Sequence, residues 1–404
     1  MPPEESGLVD QLHRRHAAEG DVFDVDATTV AILDPDLATA VNRANFADQD
    51  VGDPLGDLLA GRSGPAPWSR IRAAWQPVLR RLCGPDEVAA LYRRMADLAR
   101  ARSGHDVDLV DFAHEVCTFA LLPTVVGGLG QRAHKRLRRD VRIGFTQLSA
   151  PPTSPGRAAR ARTAWAEVAA GVTVRAELRE RASGRRPRRP DLADPLVDLL
   201  PVLGYGRAVD AVTALLTAIA GPPGAVAACL CLALRQNPDW AERIAAELAE
   251  LEPGALHQPT TAPLTSRFVK ETLRMWSPPL LLLRQVRTPV SVGELSLAVG
   301  QRYLVSPYLM HHDARRWERP DEFDPDRWLP GSGGRPSTGG AYVPFGLAPK
   351  SCVGAGLGLI QLLAFCRLVT TELCIEPTPG PVPFVALRAV AVPAHLRGTV
   401  TPRR

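Results

Sequence analysis

The 404-residue chain has little lysine, few aromatic side chains and only a small excess of positive charge. Lys135, Lys270 and Lys350 are its only lysines, so arginine supplies almost all of its 48 basic residues. The net charge is +5, and no basic run is interleaved with the aromatic side chains that stack on bases. The sequence therefore predicts no nucleic-acid partner.

Several motifs of other protein classes are also missing. The seven cysteines are odd in number and form no C-x₂-C pair, which argues against a disulfide framework and a structural zinc site. The opening stretch MPPEESGLVDQLHRRH is polar and lacks the apolar core of a signal peptide. No Gly-x-Gly-x-x-Gly unit opens a helix, so no dinucleotide site is expected. We expect a cytoplasmic protein.

Helical periodicity dominates what is present. Apolar residues recur at helical spacing over Asp86–Ala101, Asp108–Gly130, Ala164–Ala182 and Thr265–Trp276. Short extended stretches with glycine turns follow residue 280, and the arginine-rich loop SGRRPRRPD is expected to be solvated. With 45% hydrophobic residues, the chain is long enough to bury a large core. We predict a mainly α fold with a small β portion, as a single domain over residues 1–404.

The run from Ala211 to Leu234 contains no charged residue. It is long enough to cross a bilayer, but it has no aromatic belt or flanking basic cluster, and the segment Gly221-Pro222-Pro223-Gly224 interrupts it. Proline lacks an N–H and crowds the carbonyl one turn back, so a kink is expected there. We predict a buried core helix and no membrane span.

The stretch PFGLAPKSCVGAGLGLIQLL places Cys352 between a loop rich in glycine and proline and the start of a helix. Backbone N–H groups converge at a helix N-terminus, and they lower the pKa of a thiol. A thiolate is the form that binds a metal, so Cys352 is a candidate metal ligand. The alternative is a buried structural cysteine at a helix start.

A second group of charged residues precedes that loop. Glu271 and Arg274 in KETLR lie three apart, on one helical face. Arginine is so abundant here that this pair alone means little, but FDPDRW follows with Arg327, and Cys352 comes later still. The spacing allows Glu271, Arg274 and Arg327 to form one buried ion network that clamps the cysteine loop.

Together these motifs resemble the cytochrome P450 family of heme-thiolate enzymes. The family's Glu-x-x-Arg motif matches Glu271 and Arg274, and its irregular segment called the meander matches FDPDRW with Arg327. The resemblance is dense only in the C-terminal half. The first 200 residues match in length and helical texture. The signature loop Phe-Gly-x-Gly-x-Arg/His-x-Cys-x-Gly stands here as Phe345, Gly346, Ala348, Lys350, Cys352 and Gly354.

The resemblance implies a heme b cofactor with Cys352 as its axial thiolate ligand. It also implies cations for the heme propionates: Arg72, which follows Trp68 in WSRIR, together with Arg284 and Lys350. Lysine in place of arginine or histidine keeps the charge but loses bidentate geometry. Trp68 and Arg72 have an alternative interpretation as part of an ordinary amphipathic helix.

The apolar helix departs from the family pattern, which is Ala/Gly-Gly-x-Asp/Glu-Thr. Ala220 and Gly221 match its start, but Pro223 stands at the acid position and Gly224 at the alcohol position. Neither relays a proton through a side chain. We expect the segment from Gly221 through Pro222 to Gly224 to fix a kink, with freed carbonyls near residues 217–219 holding ordered water.

Four functions stay open on this basis. The first is a monooxygenase that uses O₂, a ferredoxin and a ferredoxin reductase. The others are a peroxide-dependent enzyme, an enzyme of coupling, cyclisation or isomerisation without oxygen insertion, and a non-catalytic heme-binding protein. A chain without heme, with Cys352 in the core, is a further alternative.

The substrate is not encoded in any single motif. The resemblance suggests a monomer acting on a hydrophobic small molecule of bacterial secondary metabolism. It places specificity in the loop before Trp68, in Thr146–Val168, in the kinked helix and in Leu280–Leu283. The arginines of GRAARAR, residues 156–162, are either solvated or positioned to meet an acidic substrate or carrier protein.

Overall fold

A computed structural model describes residues 7–45, 68–151, 156–331 and 340–403. The fold is mainly helical with a small β portion, as predicted. The helices are α1 (Leu8–Glu19), α2 (Pro35–Ala44), α3 (Trp68–Leu82), α4 (Pro85–Arg100), α5 (Leu109–Val125), α6 (Gln131–Ser149), α7 (Arg157–Ala182), α8 (Asp194–Asp198), α9 (Leu200–Ala220), α10 (Pro222–Gln236), α11 (Pro238–Ala249), α12 (Pro263–Met275), α13 (Pro307–His311) and α14 (Ala355–Arg367).

Short strands form four small sheets. The largest has the order β1-β2-β7-β4, in which β2 and β7 are parallel, and β3-β11-β8 form an antiparallel sheet. The hairpins β5–β6 and β9–β10 are separate. The strands are β1 (Val22–Asp26), β2 (Thr29–Ile32), β3 (His105–Asp108), β4 (Leu282–Gln285), β5 (Val290–Val292), β6 (Leu295–Leu297), β7 (Arg302–Val305), β8 (Leu373–Pro377), β9 (Phe384–Leu387), β10 (Ala391–Ala394) and β11 (Arg397–Pro402).

The centre of the molecule is built from α5, α10 and α14, whose apolar residues face all directions and are buried. The Gln361 side-chain amide on α14 donates to the Cys117 carbonyl on α5 at 2.7 Å and joins two of these helices. The stretches Leu200–Gln236 and Ala355–Glu372 are long and apolar enough to cross a membrane. Their most apolar windows are 72% and 61% buried within the chain, however, as expected for core helices.

One helix boundary was wrong. Helix α7 begins at Arg157 and not at Ala164, so the GRAARAR segment is mostly helical, because alanine and arginine are strong helix formers. The arginine-rich loop after α7 is exposed over residues 183–190, as expected. At its end the Asp191 carboxylate is buried and accepts hydrogen bonds from Arg181 at 2.7 and 2.8 Å, since the Arg181 charge is itself buried and needs a partner.

The kink lies where the prolines predict it. Helix α9 ends at Ala220, Gly221 has φ −105° and ψ −67°, and α10 begins at Pro222. Proline is well suited to the first turn of a helix, where its missing N–H would have had no partner. The proline pair therefore starts a second helix instead of weakening a continuous one.

Gly224 allows α10 to pack unusually close to α5. A Cβ atom at Gly224 would lie 2.6 Å from the Cα and 2.9 Å from the Cβ of His114. Because the obstacle is partly backbone, a small side-chain rotation does not relieve it. A threonine at this position is therefore excluded by the packing of the two helices.

We expect Gly224→Ala to destabilise the protein by about 1–3 kcal/mol, because overpacking a core forces backbone shifts. The matched control is Gly171→Ala in α7, where the new Cβ would lie 3.7 Å from Val209 Cγ1, an ordinary contact. That control is expected to gain up to about 1 kcal/mol from helix propensity. Urea denaturation measures both, and a Gly224→Ala protein as stable as the wild type contradicts the close contact.

Candidate functional site

The loop before α14 is folded by its own backbone and presents the Cys352 thiol. The Cys352 N–H donates to the Phe345 carbonyl at 2.7 Å, and the Gly346 N–H donates to the Val343 carbonyl at 2.9 Å. Gly346 has φ +77°, a conformation that favours glycine. The Cys352 side chain is exposed at the end of this loop. The sequence pattern Phe-Gly to Cys thus encodes a turn that leaves a thiol accessible.

The predicted lowering of the thiol pKa was wrong. Although the Cys352 thiol reaches solvent, the protein atoms packed around it disfavour the thiolate and raise the pKa of Cys352, and this outweighs the Gly354 N–H and the Arg72 charge, which lower it. Helix α14 begins only at Ala355, three residues later. The thiol by itself therefore stays protonated at neutral pH, and a bound metal ion has to displace that proton.

Two side chains that the sequence analysis missed hold this loop from outside. Asn42 on α2 donates from Nδ2 to the carbonyls of Leu347 and Ala348 at 3.2 and 2.9 Å. Its Oδ1 accepts from the Tyr303 hydroxyl at 3.1 Å. These partners lie far from Asn42 in the chain, so no local pattern points to them.

His311 provides the second support. Its Nε2 accepts from the Val343 N–H at 2.8 Å, so the proton of the neutral ring is on Nδ1, which donates to the Arg274 carbonyl at 3.1 Å. Burial keeps the pKa of His311 well below its usual range, so the ring stays neutral. His311 thereby connects the cysteine loop directly to α12.

The structure brings the three residues of the predicted clamp together. Arg274 donates to both Glu271 carboxylate oxygens at 3.1 and 2.8 Å, and Arg327 Nε donates to Glu271 Oε1 at 2.9 Å. The Trp328 indole N–H adds a bond to Glu271 Oε2 at 3.0 Å. Glu271 and Arg274 are fully buried and Arg327 almost so. The cluster is a satisfied internal ion network.

The remaining guanidinium donors go to backbone carbonyls. Arg274 donates to the carbonyls of His311, Pro320 and Glu322, and Arg327 donates to those of Glu318, Arg319 and Glu322. These bonds fold the irregular stretch after α13 around the two arginines. The clamp therefore positions both His311 and the segment that surrounds the cysteine loop.

Positive charge converges beside the cysteine. Arg72 on α3 donates to the Ser351 carbonyl at 2.9 Å. Burial, and then the charges of Arg284, Arg287 and Arg72, lower the pKa of Lys350 to about 7. Burial also lowers the pKa of Arg284, and no carboxylate of the described residues bonds it. This cluster of cations suits a ligand that carries carboxylates, and the donor set of one cysteine sulfur with several cations fits heme.

Other predicted residues lie around the same loop. The Phe345 ring lies against α14, with Cε1 3.8 Å from the Cβ position of Gly358, and Gly354 leaves space beside the Cys352 sulfur. Trp68 opens α3 and packs edge-to-face on Trp75 at 5.4 Å. The structure gives Trp68 no polar contact with the cysteine loop, and the loop before Trp68 lies outside the described residues.

The kink between α9 and α10 packs against α6 and the β9–β10 hairpin. A Cβ at Gly221 would lie 2.5 Å from Leu148 Cδ1 on α6 and 3.7 Å from Val390 Cγ1, beside the β9–β10 hairpin. Pro223 and Gly224 have no acid or alcohol, so the proton-relaying group expected of the family is missing from α10 itself.

Of the predicted specificity segment 146–168, residues 152–155 lie outside the described part of the chain.

Comparison with known proteins agrees with this geometry. Residues 225–385 match the Cytochrome P450 family model, a range that begins directly after Gly224 and contains the clamp and Cys352. A zebra fish cytochrome P450 solved with progesterone shares the fold, with a TM-score of 0.80 at 20% identity over 98% of this chain and 99% of that one. The cytochrome P450DA heme domain has a TM-score of 0.73 at 19% identity over 98% and 92%.

The chain has the cytochrome P450 fold, and its residues 225–385 match that family's model. It is similar to cyclooctatin synthase of Streptomyces melanosporofaciens, with 31% identity over 150 residues, or 36% of this chain and 32% of that protein. It is also similar to cyclooctat-9-en-7-ol 5-monooxygenase of the same organism, with 27% identity over 183 residues, or 44% and 39%. The matched stretches thus span about a third of the length of these relatives.

We expect Glu271→Gln to cost about 3–5 kcal/mol of stability, because it leaves two buried guanidinium groups without their carboxylate. Glu19→Gln is the matched control, since Glu19 pairs with Arg15 in a solvent-exposed ion pair and its loss changes little. Denaturation midpoints report the difference. Equal midpoints for the two variants contradict a structural role of the clamp.

Proposed function

We propose that this P450 is a heme-thiolate monooxygenase that inserts one oxygen atom of O₂ into a small organic substrate. The observation that carries the proposal is the accessible Cys352 thiol beside a cluster of cations, on a loop that the clamp and His311 hold in place. One of the two Streptomyces relatives supports it, because its name is that of a monooxygenase.

The chain's residues have separate tasks in this proposal. Thiolate-ligated heme supplies the oxidising chemistry when it is bound. Cys352 would hold the heme iron through its sulfur, and Arg72, Arg284 and Lys350 would neutralise the carboxylates of a heme b. Trp68 supports the Arg72 helix by packing on Trp75. The raised pKa of the free Cys352 thiol means that metal binding and deprotonation occur together.

The substrate in our proposal is a hydrophobic small molecule of bacterial secondary metabolism. The four leucines 280–283 differ in exposure: Leu280 is buried, Leu281 and Leu282 are half-buried, and Leu283 is 50% exposed. Only part of this apolar stretch therefore faces the protein interior. Leu282 Cδ1 lies 3.6 Å from the Cβ position of Gly346. The names of the two Streptomyces relatives, cyclooctatin synthase and cyclooctat-9-en-7-ol 5-monooxygenase, favour such a substrate.

We infer that electrons come from a ferredoxin and a ferredoxin reductase, with the chain acting as a cytoplasmic monomer of one domain over residues 1–404. The arginines that line the cysteine side favour an acidic electron donor. Arg367 does not belong to that surface. It donates to the Leu248 carbonyl and stacks over the Tyr92 ring, so its charge is held inside the protein.

The kink favours one alternative. Pro223 and Gly224 offer no acid or alcohol to deliver protons. A peroxide-dependent reaction, or a reaction without oxygen insertion, needs fewer proton-donating side chains than O₂ activation does. Peroxide already carries the electrons and protons that O₂ must acquire. A non-catalytic heme protein is less favoured, since a thiolate ligand serves oxidation chemistry.

The deciding experiment compares two oxidants on the heme-loaded protein with a generic oxidisable probe. One arm receives O₂, a surrogate ferredoxin and its reductase, and the other receives hydrogen peroxide. We expect turnover in the O₂ arm that disappears in Cys352→Ala. Turnover in the peroxide arm alone contradicts the monooxygenase proposal and supports the alternative.

A further inference from the structure

Two buried asparagines at the end of α2 have partners in two different parts of the site. Asn42 lies in the last turn of α2, and Asn45 is the residue that ends it. Their exposed fractions are 3% and 0%. The surroundings are apolar, since Val41 packs in one buried cluster with Val286, Val343 and Leu347. A buried amide without partners costs stability, so the hydrogen bonds of these two side chains need an account.

Asn42 holds the loop that leads to Cys352. Both N–H groups of its amide are used, one on the Leu347 carbonyl at 3.2 Å and one on the Ala348 carbonyl at 2.9 Å. Its Oδ1 accepts from the hydroxyl of Tyr303, which is 1% exposed and so fixes the orientation of the amide. Asn42 therefore attaches the end of α2 to the cysteine loop.

Asn45 holds the end of strand β4 in a similar way. Its Nδ2 donates to the Gln285 carbonyl at 2.9 Å, and its Oδ1 accepts from the Arg287 N–H at 3.0 Å. A side-chain amide that bonds the carbonyl of one residue and the N–H of the second residue after it takes the place of a neighbouring strand. Gln285 directly follows Arg284, so Asn45 fixes the backbone between the two arginines.

The sheet connects these two attachments. Tyr303 of β7, which bonds Asn42, is paired in register with Arg284 of β4, and the next residue of β4 bonds Asn45. One helix end is thus bonded to the loop that contains Cys352 and to the strand that contains Arg284. Because a helix is more rigid than a loop, α2 determines the distance between these two segments.

We propose that Asn42 and Asn45 are positioning residues that set the spacing between Cys352 and the cations Arg284 and Arg287, and thereby the strength with which the chain holds heme. The inference rests on the proposed function, since it presumes heme held by Cys352. Each asparagine acts through the backbone that it bonds. A group held by a sulfur at one place and by cations at another is retained only while both stay at a fixed distance.

The rate at which heme leaves the protein for an excess of apomyoglobin tests this role without an assay of activity. We expect heme to leave Asn42→Leu about tenfold faster than it leaves the wild type, the low end for loss of a residue that orients a metal ligand. Leucine is similar in size to asparagine and suits the apolar surroundings, but it cannot bond the loop carbonyls.

Asn237→Leu is the matched control. Asn237 also ends a helix, α10, and its Nδ2 donates to the Ala233 carbonyl at 2.8 Å. We expect this variant to lose some stability and to release heme at the wild-type rate. If Asn42→Leu does not fold, Tyr303→Phe takes its place, because it removes only the hydroxyl that orients the Asn42 amide. A smaller increase in the rate of heme loss is then expected.

The double variant tests whether the two asparagines set one spacing. Once either attachment is released, the other no longer fixes the distance. We therefore expect the effect of Asn42→Leu with Asn45→Leu on heme loss to be smaller than the product of the two single effects. An effect equal to that product shows two independent contacts and overturns the shared role.

The reduction potential is a second measurement, which a loss of stability alone does not move. Positive charge close to heme favours its reduced, more negative form. We expect the potential to become more negative in Asn42→Leu and in Asn45→Leu and to stay unchanged in Asn237→Leu. Wild-type potentials in the first two variants contradict the inference.

The outcomes separate this inference from the proposed function. Equal rates of heme loss in Asn42→Leu and Asn237→Leu overturn the role of the asparagines. If the wild type then still has the spectrum of a thiolate-ligated heme, the proposed function stands. A wild type without that spectrum overturns the ligation by Cys352, and the role of Asn42 and Asn45 fails with it.

Discussion

The buried Glu271 carboxylate is the interaction on which the cysteine site depends. It accepts five hydrogen bonds, from Arg274 twice, from Arg327, from the Trp328 indole and from the Asp324 N–H. A buried carboxylate with fewer partners would cost several kcal/mol, so these groups have to stay together once the chain has folded. Because Arg274 also bonds His311, and His311 bonds Val343, the same cluster fixes the loop that presents Cys352.

The kink shows how packing and chemistry constrain each other in this chain. Helix α10 packs on α5 closely enough that residue 224 must be glycine, which removes the usual alcohol. The same close approach sets the His114 backbone directly against α10. Two prolines at the start of α10 leave the carbonyls of Ala218 and Ile219 without their usual helical donors.

The sequence predicted the Glu271–Arg274 pair and the kink because both are local, whereas Arg327 lies 56 residues from Glu271 and was assigned to the clamp through its place in FDPDRW. Glu271 and Arg274 share one helical face, and consecutive prolines end a helix wherever they stand. The pKa of Cys352 was wrong, since the burial that raises it depends on the whole tertiary structure and not on the adjacent helix. Asn42 was missed because its partners Leu347, Ala348 and Tyr303 come from distant elements. The early start of α7 was missed because its first turn has no apolar face.

Ligation by Cys352 is the central claim, and the absorption spectrum of the reduced, carbon-monoxide-bound protein tests it most directly. We predict the red-shifted Soret band of a thiolate-ligated heme in the wild type. We predict its loss in Cys352→Ala, with the denaturation midpoint of the heme-free chain unchanged. A wild-type spectrum like that of a histidine-ligated heme, or a Cys352→Ala spectrum that keeps the red-shifted band, would contradict the account.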